Sequence, residues 1–208
     1  MYTALVAASQ TIRDFLTARL RADTNLRTFF DPAFGGNMVV SLNTPDEMDR
    51  LHLHGLSLWL YRVVRDENLL NAPPQKSGVL QYRHTALPVR LHYLITPLVD
   101  RAQAAGSELE QIVLGKVLQS LHDHACFRGP DLQGDFQGHA EVELFLRLEP
   151  MALEEITRVW TALLRSYELC VSYEVSVTSI RSELVEDYGA VESVLPRTAA
   201  IVTSQELG

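Results

Sequence analysis

Lysine is almost missing from this 208-residue sequence: Lys76 and Lys116 are the only two, so nearly all of its 18 basic residues are arginines. Cysteine is as scarce, with Cys126 and Cys170 far apart. Two distant cysteines make no disulfide framework and are expected to be free thiols. No stretch reaches the roughly 18 consecutive apolar residues of a membrane span. Arg13, Asp14 and Arg19 interrupt the opening residues before a leader's apolar stretch forms. The expectation is a soluble chain made in the cytoplasm, with no direct membrane insertion. A formal net charge of −8 leaves few clustered cations for a phosphate backbone, which excludes nucleic acid as the main partner. Arginine binds carboxylates through a planar fork and tolerates partial burial, so an arginine-rich, lysine-poor surface suits a permanent protein assembly.

The signatures of catalysis are missing as well. There is no Gly-x-Ser-x-Gly, no Cys-x-x-Cys, no His-Glu-x-x-His, no P-loop and no dinucleotide fingerprint. What remains are loose clusters. His122 and His124 fall at the end of a helical pattern, where residues two apart diverge by about 200° and do not chelate one ion. His52 and His54 border a strand, where the same spacing shares a face, so they stay open as a ligand pair. Cys126 beside His122 and His124 is the one compact Cys/His group, and a half-buried thiol at a helix end is its ordinary explanation. Glu141 and Glu143 lie on the outward face of a strand, whereas a glycosidase dyad converges from separate elements. No catalytic residue, cofactor or metal is assigned.

Hydrophobic patterning supplies the rest. With 47% hydrophobic residues, the chain buries a sizeable core without metals or disulfides. Leu5, Ile12, Leu16 and Leu20 predict an amphipathic helix over 3–24. A short strand is expected over 38–42, and Thr44-Pro45-Asp46-Glu47 interrupts the chain. From Gly55 to Val64, Leu56, Leu58 and Leu60 alternate with Ser57, Trp59 and Tyr61 as in a strand. Residues 66–87 read as a long loop centred on Pro73-Pro74. Val89, Leu91, Tyr93 and Ile95 mark a strand that Pro88 opens and Pro97 stops. A helix follows from about Val99 or Ser107 to Ala125, then a glycine-rich loop over 129–138. Val142, Leu144, Leu146 and Leu148 are the inward residues of a strand over 141–148. Leu153, Ile156, Trp160, Leu163 and Leu164 form a helical stripe, and Leu169 to Arg181 alternates as the longest strand. This order predicts an α+β or mixed α/β single domain, a central sheet packed by two or three helices, with a parallel crossover expected where a helix joins two strands. Residues 183–208, with Glu183, Glu186, Asp187 and Glu192, are expected to be an acidic arm or flexible tail outside a domain of 1–182.

Four segments in order carry a family resemblance. They are Pro88 to Pro97 (PVRLHYLITP), Glu108 to His124 (ELEQIVLGKVLQSLHDH), Glu149 to Glu155 with Trp160, and Tyr167 to Tyr173 (YELCVSY). Together they resemble the tail-terminator or cap family of extracellular contractile injection systems, over roughly residues 3–182. The resemblance implies the mixed α/β fold of phage tail terminators and a homo-hexameric ring. Such a ring sits on the baseplate-distal end of a sheath and inner tube and ends their polymerisation, with the sheath protein and inner tube protein as partners. An adaptor or chaperone of tail assembly is the alternative, and a small metal-dependent enzyme using His52, His54 or the Cys126 neighbourhood a more distant one. For the ring contacts, the mixed strand faces point to Arg90, His92, Arg147 and Glu174. Ile201 and Val202, in the apolar tip Ala199 to Val202, are expected to pair as an arm with a neighbour's sheet edge, a solvating terminus being the other reading.

Overall fold

The first helix shows how the core is specified. In α1 (Ala4–Ala22), Ala4, Ala8, Ile12, Leu16 and Leu20 recur at four-residue spacing and are all buried, the stripe that a 3.6-residue period aligns. The computed structural model of the chain describes residues 2–69, 75–76, 81–83, 86–100, 106–139, 142–180 and 185–187. Among these follow α2 (Arg27–Phe30), β1 (Val39–Ser41), α3 (Pro45–Arg50), β2 (Gly55–Arg65), β3 (Gln75–Lys76), β4 (Gln81–Arg83) and β5 (Leu87–Leu98). Then come α4 (Gly106–Asp123), β6 (Cys126–Arg128), β7 (Glu143–Glu149), α5 (Leu153–Ala162), β8 (Val171–Ile180) and β9 (Val185–Asp187).

Six strands form one sheet in the order β1-β2-β5-β8-β7-β6. Both α1 and α4 pack on one face. Ile12, Leu16, Val113 and Val117 meet Leu56, Leu58, Leu91, Tyr93, Leu144 and Val175 in a single apolar cluster. The buried Ser9 hydroxyl lies 2.8 Å from that of Tyr93, tying α1 to the central strand. The opposite face carries a second, smaller cluster under α5, where Trp160, Leu94 and Cys170 pack with Trp59, Tyr61 and Ile156. The expected α+β architecture is thus present.

Several local expectations are corrected. Thr44-Pro45-Asp46-Glu47 does not interrupt the chain but starts α3. Thr44 Oγ1 accepts from Glu47 N at 3.1 Å, and the Glu47 carboxylate accepts from Thr44 N at 2.9 Å, a complete capping box with proline at the first helical position. The only parallel pair among the described strands is β1 with β2, joined by α3, while α5 connects the antiparallel neighbours β7 and β8. Gly55 sits where those parallel strands meet. Its φ is +136°, and a Cβ there would lie 2.0 Å from the Val39 carbonyl oxygen, so only glycine fits.

Pro97 does not stop β5. It pairs with Leu56 beyond Ile95, the last residue of β5 paired with β8, so only one neighbour needs its main chain. The expected loop over 66–87 holds β3 and β4, and β4 also pairs with β9 in a separate three-stranded sheet. Pro73 and Pro74 lie outside the described residues. Leu148 is half-exposed rather than inward, because helix cover ends before that end of β7. On α5 only Trp160 is fully buried and Leu153 faces outward, while the helix ends at Ala162, so Leu164 falls beyond it and is exposed.

Candidate functional site: a charged face on the central sheet

A single extra residue creates this face. Register slips between Leu60 and Arg62 on β2. A bulge of this kind re-aims the side chains that follow. Before it, Trp59 pairs with Leu94 on the α5 side. After it, Arg62 pairs with His92 and Val64 with Arg90. Extending across β8 and β7, one row reads Arg62, His92, Glu174, Arg147 and the next Val64, Arg90, Ser176, Phe145. Paired residues share a face. The α5 cluster therefore gives way, within two rows, to a charged surface with no helix over it among the described residues.

The charges are interlocked. Arg147 Nη2 donates to both Glu174 oxygens at 3.2 and 3.3 Å. Arg90 Nη1 lies 3.5 Å from Glu174 Oε1, and its Nη2 donates to the buried Asp66 at 2.9 Å. The Arg90 hydrogen bond holds the Asp66 carboxyl below its ordinary value against desolvation, and Asp66 in turn raises Arg90.

Beside this chain lies a second polar knot. His92 Nδ1 is 2.9 Å from Glu149 Oε2, reaching diagonally over β8. The same oxygen accepts from Ser172 Oγ at 2.7 Å and Tyr61 Oη at 3.4 Å. Burial raises the Glu149 carboxyl, but the bonds from His92 and Ser172 outweigh it and leave it below its ordinary value. Burial raises the Tyr61 phenol.

All four residues expected at ring contacts, Arg90, His92, Arg147 and Glu174, are thus brought into two adjacent rows. Their exposure differs. The Arg147 side chain is 72% exposed, that of Glu174 14% and that of His92 5%, so His92 braces the face from beneath while Arg147 stands on it. Ile201 and Val202 lie outside the described residues, as do Glu141 and most of 183–208. Sequence reasoning missed Asp66, Glu149, Tyr61 and Phe145. Their placement depends on the bulge and on cross-strand register, and alternation along one strand carries neither.

The chemistry of other clusters is settled by geometry. Ligand atoms of His92, Glu149 and Glu174 lie within 4.8 Å of one another. Two guanidinium groups already neutralise Glu174 there, and their positive charge opposes a bound cation. His52 has φ +54° in the turn after α3, so it shares no strand face with His54. His124 stacks on Phe15 and faces Asp131 at 3.1 Å. Both cysteines are free thiols. Burial raises Cys126 and Cys170 above the ordinary thiol value, the reverse of an activated nucleophile. No helix among the described residues is long and apolar enough to cross a membrane.

Comparison with known proteins adds a family and a fold. The family model described as the Pvc16 N-terminal domain matches residues 7–193. One similar solved structure is the PVC sheath/tube terminator of an extracellular contractile injection system, in its extended state. It has a TM-score of 0.60 at 18% identity, over 95% of this chain and 65% of that one. Another is the tube-terminating cap of the anti-feeding prophage, with a TM-score of 0.54 at 19% identity, over 89% of this chain and 59% of that one. The chain therefore spans less than two thirds of the length of either. No curated protein sequence matches it.

Proposed function

The chain belongs to the Pvc16 N-terminal domain family, and on that premise we propose that it is a structural tail-terminator cap of a contractile injection system. Copies form a homo-hexameric ring on the baseplate-distal end of the sheath and inner tube, contact the sheath and tube proteins, and end their polymerisation. The observation that carries this reading is the fold likeness to two terminator caps over 95% and 89% of the chain.

The charged face supports a role in contact rather than catalysis. Its carboxylates are engaged by arginine, histidine and hydroxyl donors, which leaves no poised base. Its residues hold one another in place before a partner arrives, and preorganisation of that kind lowers the ordering cost of binding. Arg147 and the half-exposed Phe145 present the outward contacts, Arg90 and Glu174 hold Arg147 in position, and His92 supports them from below. Residues 183–208 form an arm whose root is β9, paired with β4, and whose tip includes Ile201 and Val202. Assembly takes place in the cytoplasm before the ring joins the particle.

Electron microscopy tests the reading. The purified chain should form six-fold rings, and labelled particles should carry one ring at the end away from the baseplate. A monomer at high concentration, together with absence from purified particles, contradicts it.

A further inference from the structure

The six-stranded sheet has two unlike edges. On one side β1 is the last strand, only three residues long, with Val39 exposed at 37%. On the other, β6 covers only Glu143 to Phe145 of β7, and one further bond joins Leu146 N to Ala125 O. Arg147, Leu148 and Glu149 pair with β8 on one side but run past β6 on the other, with no strand on that outer side among the described residues. Leu148 and Phe145 there are about half exposed. An uncovered strand edge is a template for pairing with another chain.

We propose, resting on the ring reading above, that copies of this chain join head to tail through these two edges, β1 of one copy continuing the sheet beside residues 147–149 of the next. Three observations select a second copy as the occupant. First, the strand directions agree. β1 is parallel to β2, and the alternation through β5, β8 and β7 makes β7 antiparallel to β1 and to β6. In two copies related by rotation, the neighbour's β1 therefore runs as β6 does and falls in line with it, antiparallel to β7.

Second, the heights are compatible. Val39 stands in the row of Leu98, and Glu149 in the row of Leu94, four residues away. At ~3.3 Å per residue and ~4.8 Å per strand, that offset over five strand spacings corresponds to a tilt of roughly 30°. This is close to the strand tilt of roughly 35–45° in closed sheets.

Third, the two edges differ in charge. The β1 edge leads into α3, where Asp46 pairs with Arg50, Asp49 pairs with Arg165 and Glu47 closes the capping box, so the acidic side chains there exceed the arginines by one. The β6–β7 edge presents the exposed Arg128 and Arg147, with Glu143 half-buried. Two different, complementary edges make a heterologous contact, the kind that closes into a ring when the rotation per copy is right.

The test is thiol crosslinking in a Cys126→Ser background, with Cys170 buried. Val39→Cys protein and Arg147→Cys protein are prepared separately, two positions that share one face of the continued sheet when Val39 lies opposite Glu149; both are surface-exposed, so each variant should keep the parent's melting temperature. Mixed and treated with a short bifunctional maleimide, they should give a crosslinked dimer; neither alone should. The double variant should give a ladder ending at the ring. Arg147→Glu should weaken self-association about tenfold or more, the loss shrinking in high salt. Rings by light scattering with no mixed crosslink would overturn the edge contact and leave the ring reading standing. A protein that stays monomeric at high concentration would overturn both.

Discussion

The two faces of the central sheet are built from the same strands, yet they solve different problems. The α1 and α4 side is continuous: Leu58, Leu91, Val175 and Leu144 lie in one cluster at 0–1% exposure. The α5 side is split. One end is sealed by Trp160, and the other is a mosaic of arginines and carboxylates with Phe145 half-exposed. Burial of the first face drives folding, because apolar surface removed from water is the dominant favourable contribution. The second face is held by charge-assisted hydrogen bonds, which contribute less net stability but fix geometry. A sheet that folds with one side and keeps part of the other free is suited to assembly.

Substitutions separate the two. The largest effect is expected on the continuous face: Leu58→Ala should cost about 2–5 kcal/mol in chemical denaturation, the cavity range for a buried leucine. A loss under about 1 kcal/mol would mean that the two faces are not so different. Within the polar knot, Glu149→Gln should cost about 1–3 kcal/mol, since it weakens the bonds from His92 and Ser172 in a half-buried site. Native Asp66 and Glu149 titrate below their ordinary values. Their stabilisation is therefore complete above the ordinary carboxyl range, about pH 4. It is lost as pH falls through the depressed native values. Melting temperature measured against pH should accordingly drop on acidification, and Asp66→Asn should be less stable at neutral pH and less sensitive to acid. The smallest effect is expected at the open edge. Leu148→Ala should change the stability of the single chain by no more than about 0.5 kcal/mol, while self-association weakens. A large stability loss there would place Leu148 in the fold rather than at a contact.

How far the sequence carries depends on which interactions are local. The helical stripes and strand alternation identify the core, because Ile12, Leu16, Leu58 and Leu91 occupy their faces by period alone. The α3 capping box is also written locally, in Thr44 and Glu47, but the proline between them reads first as a breaker. Pro97 misleads for a related reason: a proline ends a strand only where two neighbours need its main chain. The charged face has no local signature beyond the mixed residues on its strands. Its key event is one extra residue on β2, which moves Arg62 and Val64 to the side of His92 and Arg90. Arg90, His92, Arg147 and Glu174 were visible as polar residues on otherwise apolar strands. Asp66 joins them from the end of β2 through Arg90 on the neighbouring strand, and Glu149 and Tyr61 through diagonal reach across β8. The terminator role proposed above rests on family resemblance, and none of these interactions by itself implies it.

The length of the particles tests that role most directly. In cells making the injection system without this chain, electron microscopy should show tubes and sheaths of widely scattered length, or none assembled. Restoring the chain should bring back one narrow length with a ring at the end distal to the baseplate. Particles of normal, uniform length in its absence would contradict a terminator.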